Sequence, residues 1–152
     1  MTTAPASSID RNLDAACTAV TAEISRTDGK ASLLLAFNGA ALAGLASVAG
    51  HDLPAATQAV GALAVLALGA AAVLLLLVVR PRLRGEDRAS FPYWAGLNDA
   101  AILASMDGDH RAARIRVLSA IALAKFTRLR RAVDCTLTAL ALLALAAISA
   151  AL

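Results

Sequence analysis

With 152 residues the chain is long enough for one domain, yet 59% of it is apolar, 3% is aromatic and its mean hydropathy is +0.70. A water-soluble domain of this size is rarely so apolar, and the scarcity of aromatic and β-branched residues argues against a sheet. The net charge of +3 comes from 14 basic and 11 acidic side chains, all but Asp134 of which lie outside three long apolar blocks, which is the pattern of helices in lipid. The fold class is therefore all-α: a three-span transmembrane helical protein whose first and last helices have amphipathic cytoplasmic extensions.

In chain order, residues 1–8 are small and polar and read as a flexible arm. Residues 9–30 place Ile9, Leu13, Ala16, Cys17, Val20 and Ile24 three or four apart, one apolar stripe of an amphipathic helix. Ser7 followed by Asp10 is a start signal in which Asp stands where a capping box has Glu or Gln. Gly29 is the one expected kink before the first span. That span, residues 31–50, carries no formal charge and as a helix covers roughly 30 Å, the thickness of a hydrocarbon core. The apolar run starts too late for a cleaved secretory signal, so none is expected.

A short outer turn at residues 51–54 leads to a second span at 55–79, which contains Val73-Leu-Leu-Leu-Leu-Val-Val79. Pro81 disfavours helical geometry at Arg80 and should stop it there. Residues 80–131 form a basic cytoplasmic loop and helix: a turn-rich stretch with Phe91, Tyr93 and Trp94 suited to a membrane interface, a helix capped by Asn98, and a weak point at Asp107-Gly-Asp109. One long helix then runs from near His110 through a third span at 132–152. The extensions of the first and last helices are expected to pack together, each burying a stripe it cannot bury alone.

Orientation follows from charge. Arg11, Arg26 and Lys30 precede the first span and the other eleven basic residues fall between Arg80 and Arg131. All lie on one side of a three-span chain, which puts the amino terminus and the long loop in the cytoplasm and the carboxyl terminus outside. The chain is therefore expected to cross its membrane three times.

Four positions stand out at or within the spans. Asn38 in mid-span needs a hydrogen-bond partner in lipid. Asp28, Lys30 and Asp134 fall near the cytoplasmic ends of the first and third spans, where Lys30 and Asp134 are within reach of pairing or of snorkelling to headgroups. Ala36, Ala40 and Gly44, with Gly39 and Ala43 beside them, form small-residue rows that suit close helix approach, and a homo-oligomer is expected on that account. Arg111, Arg114, Lys125 and Arg128 belong to a positive field that either answers anionic lipid or holds phosphate. Cys17 and Cys135 have neither metal-ligand nor redox spacing. No phosphate-binding glycine loop, serine elbow or carboxylate pair is present. No enzyme, no metal, no cofactor and no nucleic-acid partner is expected.

The segment Glu23-Ile-Ser-Arg-Thr-Asp-Gly-Lys-Ala-Ser-Leu-Leu-Leu-Ala-Phe-Asn-Gly39, acidic residue and Lys just before a span, resembles the Pycsar effector transmembrane family of small bacterial membrane proteins. Arg114-Ile-Arg-Val-Leu-Ser-Ala-Ile-Ala-Leu-Ala-Lys-Phe-Thr-Arg-Leu-Arg-Arg131, leading into the last span, is similar to a second signature of that family. The resemblance runs from about Leu13 onward. It implies an antiphage role in which a pyrimidine nucleotide cyclase makes cyclic UMP or cyclic CMP on infection, and the effector responds by damaging the inner membrane. The cytoplasmic part would then be the sensor and the spans the actuator. The alternative is a structural or assembly membrane protein, such as a plasmid-transfer or membrane-organising component, that senses no nucleotide.

Overall fold

The computed structural model describes residues 7–48, 50, 54–81 and 90–151; residues 51–53, where an outer turn is expected, and 82–89, within the expected basic loop, lie outside the described residues, as do the first six. Among the described residues the chain is helical and without strands, in the order α1 (Ser8–Val48), α2 (Ala55–Val79), α3 (Phe91–Trp94), α4 (Asp99–Ser105) and α5 (Arg111–Ala151). Three of these, α1, α2 and α5, are long and apolar enough to cross a membrane. Two compact units are built from them: Met1–Arg26 with Pro81–Ala124, and Thr27–Arg80 with Lys125–Leu152. Both α1 and α5 contribute to each unit, and α1 passes Gly29 without a break.

Local chemistry sets the helix ends. At the start of α1 the Ser7 hydroxyl accepts the Asp10 N–H at 3.1 Å while the Asp10 carboxylate accepts the Ser7 N–H at 3.2 Å. Asp is thus long enough to complete the reciprocal cap that Glu usually makes. Arg80 ends α2 with φ −57° and ψ 124°, the extended geometry that a following proline imposes. The turn-rich stretch before α4 contains one helical turn, α3, because Pro92 sits in its first turn, where a proline lacks nothing the helix needs. Asn98 caps α4 by accepting the Ala101 N–H at 2.9 Å. The helix stops before Asp107-Gly-Asp109 and restarts at Arg111.

In the second unit the buried positions recur with alternating steps of four and three. They are Lys125, Leu129, Ala132, Thr136, Ala139 and Ala146 on α5, and Ala64, Leu68, Ala71, Leu75 and Val78 on α2. On α1, Thr27, Ala31 and Asn38 are buried in the same rhythm. A repeat of 3.5 residues is the spacing of left-handed, knobs-into-holes helix packing. Alanine at so many of these positions lets the backbones approach closely, so that van der Waals contact holds helices that lipid would solvate equally well. Ala31, Leu75, Val78, Leu129 and Ala132 form one such cluster.

Cross-helix contacts give the directions. Asp28 meets Lys125 and Asn38 meets Thr136, 97 and 98 residues apart, so α1 and α5 run parallel in this unit. Thr57 near the start of α2 meets Ser149 near the end of α5, and Leu77 near the end of α2 meets Arg128, so α2 is antiparallel to α5. The unit is an up-down-up bundle, as three successive spans require. The rows Ala36, Ala40, Gly44 and Gly39, Ala43 are exposed on α1 and take no part in it.

Candidate functional site

In the first unit, the amphipathic stripe of α1 is half-buried at Leu13, Ala16, Cys17, Val20 and Ile24, whereas Ile9 is exposed; Ile115, Leu118 and Ile121 of α5 are likewise half-buried. Arg111, the first residue of α5, organises the polar end. Its Nε and one Nη grip both oxygens of Asp109 at 2.9 Å. That second nitrogen also reaches Asp10 Oδ1 at 2.5 Å, and the other Nη donates to the Asp10 carbonyl at 3.2 Å and to Asp14 Oδ1 at 2.9 Å. A guanidinium has five N–H groups, and here all five have an acceptor. The Cys17 thiol donates weakly to the Arg111 carbonyl at 3.9 Å.

The electrostatic consequence is mutual. Hydrogen bonds from Arg111 hold the Asp109 carboxyl down at about 2. Asp10 is lowered first by the Ser7 hydroxyl and then by Arg111, and Arg111 is raised by Asp109, Asp14 and Asp10 in that order. Each charged partner favours the ionised form of the other.

Two clefts flank this knot. One, of about 500 Å³, is lined by Trp94, Ser105, Met106, Gly108 to Arg111, and Arg114. The other, of about 510 Å³, lies against α1 and is lined by Asp14, Cys17, Thr18, Thr21, Arg111 and Arg114. A Cβ on Gly108 would stand 3.2 Å from His110 Nε2, so glycine makes the room in which the imidazole sits. The Trp94 Nε1–H is buried and has no acceptor, the one such side-chain atom among the described residues.

In the second unit the polar contacts lie inside the bundle. Lys125, 8% exposed, forms an ion pair with Asp28. Arg128 donates to the Leu77 carbonyl at 3.3 Å. Asn38, fully buried, donates from Nδ2 to Thr136 Oγ1 at 3.2 Å and to the Leu34 carbonyl at 3.0 Å, and the Thr136 hydroxyl donates to the Ala132 carbonyl at 3.0 Å. These bonds satisfy groups that lipid cannot. Among the described residues no group of His, Cys, Asp or Glu has the makings of a metal site.

The Pycsar effector protein domain matches residues 12–152, nearly the whole chain. The chain belongs to the Pycsar effector family. No curated protein and no solved structure gives a significant match. Its role is accordingly that of a Pycsar antiphage effector, in a system linked to a cyclase and in a membrane context; the family is one of effector domains and not a known enzyme family.

In this Pycsar effector the residues singled out from the sequence divide sharply. Arg111 and Arg114 line both clefts, while Lys125 and Arg128 belong to the bundle and touch neither. Lys30 and Asp134 are exposed and form no ion pair with one another; the pair in this unit joins Asp28 to Lys125 instead. Sequence reasoning missed Thr136 as the partner of Asn38, and Asp10, Asp14 and Asp109 as the partners of Arg111. Two signals were available: Asp10 and Asp14 are four apart on one helix face, and Lys125 and Thr136 are eleven apart, three turns along another.

Proposed function

We propose that this Pycsar effector is a membrane protein switched by cyclic UMP or cyclic CMP, which impairs inner-membrane integrity when the partner cyclase is active. The amino terminus and residues 80–131 face the cytoplasm, the carboxyl terminus faces outward, and the working form is a homo-oligomer. What carries the reading is the continuity of α1 and α5, each an unbroken 41-residue helix that supplies both a charged segment and a span. A ligand that prefers one packing of the charged unit shifts the population of the whole helix pair by its difference in affinity. Catalysis has no part in such a device.

The test is membrane potential, followed with a voltage-sensitive dye in cells that carry this protein with an active or a catalytically dead pyrimidine cyclase. Depolarisation with the active cyclase alone is the expected result. Equal potentials, with protein and cyclic nucleotide both verified, would remove the nucleotide switch.

A further inference from the structure

We infer that the outward face of α5 around Arg131 and Asp134 is covered by the same face of a second copy of this chain, with Arg131 of each copy paired to Asp134 of the other. This interface rests on the homo-oligomeric form proposed above and gives it a contact surface.

Depth in the membrane makes the case. Arg128 of α5 lies beside Leu77 of α2, and Ser149 lies beside Thr57. Between Thr57 and Leu77 α2 carries no charge, and a helix of that length rises about 30 Å, the thickness of a hydrocarbon core. The matching stretch of α5 has its middle near Thr138, so Asp134 stands about 7 Å from mid-membrane and about 9 Å inward of Arg128. It is nevertheless exposed. Among the described residues its carboxylate meets no cation, and Arg131, also exposed, meets no anion. Ionisable side chains at such depth face the interior of a bundle and are paired, because a bare charge in hydrocarbon is costly. In a single copy Asp134 departs from that rule, and a second copy against this face restores it.

The pattern of the face suits another helix. Arg131, Asp134, Thr138, Ala141, Leu145 and Ile148 are all exposed and recur in steps of three and four. That is the rhythm of the buried row Leu129, Ala132, Thr136, Ala139 and Ala146, on the opposite side of the helix. α5 therefore carries two packing stripes, and the bundle uses one. The Thr138 hydroxyl donates to the Asp134 carbonyl at 2.9 Å, so the unmet demand on the stripe is that of the two charges. They are complementary, which suits contact of the face with itself. Copies that cross the membrane in the same direction stand level across a two-fold axis along the membrane normal. Arg131 and Asp134 of the other copy then differ in height by three residues, about 4.5 Å, within reach of an extended arginine, and each dimer closes two such pairs. Lys30 does not compete, because Asp28 stands level with Lys125 and so leaves Lys30 about 10 Å from the level of Asp134.

Charge reversal tests the pairing. Arg131→Asp makes the face doubly negative and Asp134→Arg makes it doubly positive, so neither chain should associate with itself, whereas the two expressed together should. Association is read in membranes by disulfide cross-linking through Thr138→Cys, in chains that also carry Cys17→Ala and Cys135→Ala. With both charges native, Thr138→Cys should cross-link; Leu140→Cys, at nearly the same depth but turned away from the stripe, should not. Each charge-reversed chain alone should lose about tenfold or more of the product, and co-expression under two tags should restore it in mixed pairs. Pairing of Arg131 with Asp134 inside one copy predicts no such rescue. Light scattering of the full-length protein in detergent should give a dimer or larger, falling toward the 15.4 kDa monomer in Asp134→Ala.

An oligomer by light scattering in which Thr138→Cys stays uncross-linked, or in which Ala40→Cys on α1 cross-links in its place, would overturn this face and leave the homo-oligomer standing. Thr138→Cys cross-linked solely to a different protein would overturn it too, as would cross-linking indifferent to the charge reversals. A monomer at every concentration would overturn the face and the homo-oligomer together.

Discussion

Lys125 of α5 meets the carboxylate of Asp28 on α1, 97 residues earlier, with the lysine side chain 10% and the aspartate side chain 38% exposed. The two ends of this pair are therefore unequal, and their removal should be unequal as well. Asp28→Leu strands a nearly buried ammonium and should cost about 3–5 kcal/mol. Lys125→Met leaves a carboxylate that still touches solvent and should cost less, about 2 kcal/mol. The double variant should recover much of both losses. Thermal unfolding in detergent, analysed as a double-mutant cycle, checks this; additive losses would mean the pair is not coupled.

The Asn38–Thr136 contact lies in the bundle, where its groups have no water to turn to. Asn38→Leu and Thr136→Val should each destabilise the bundle, with a coupling of about 0.6–1.7 kcal/mol between them, the range found for hydrogen bonds between membrane helices. Equilibrium unfolding of the two single variants and the double one measures that coupling.

The carboxylate knot at Arg111 predicts a particular pH dependence. Asp109 sits at about 2 and Asp10 is also lowered, against a free carboxyl value of 3.8. Groups whose pKa is depressed on folding stabilise the fold above their unfolded value and lose that contribution as pH falls through the folded one. The contacts of Asp109 and Asp10 with Arg111 therefore contribute fully above about pH 4 and weaken as the pH falls from 4 towards about 2. Arg111 stays charged throughout. Limited proteolysis of the α1 amino terminus should accelerate over that window in the wild type, while Arg111→Ala should be cleaved quickly at every pH.

A fusion at the carboxyl terminus tests the topology. Alkaline phosphatase placed after Leu152 should be active, since that enzyme folds outside the cytoplasm, and a fluorescent protein that folds only inside should stay dark. The reverse outcome would invert the orientation derived from the 14 basic side chains.

Sequence by itself determined the features that depend on neighbours in the chain. The three apolar blocks gave α1, α2 and α5, because a helix satisfies its own backbone and needs only length and apolar composition to cross lipid. Pro81, Asn98 and Asp107-Gly-Asp109 set helix ends because caps and breaks act within four residues. Only the tertiary structure decided which side chains meet. Two residues 97 or 98 positions apart become neighbours only once parallel helices have chosen a register, and a shift of one turn would give Asp28 and Asn38 other partners. The same holds for Arg111: its positive charge is plain in the sequence, but only the packing of α1 beside the start of α5 supplies the carboxylates that engage its five N–H groups.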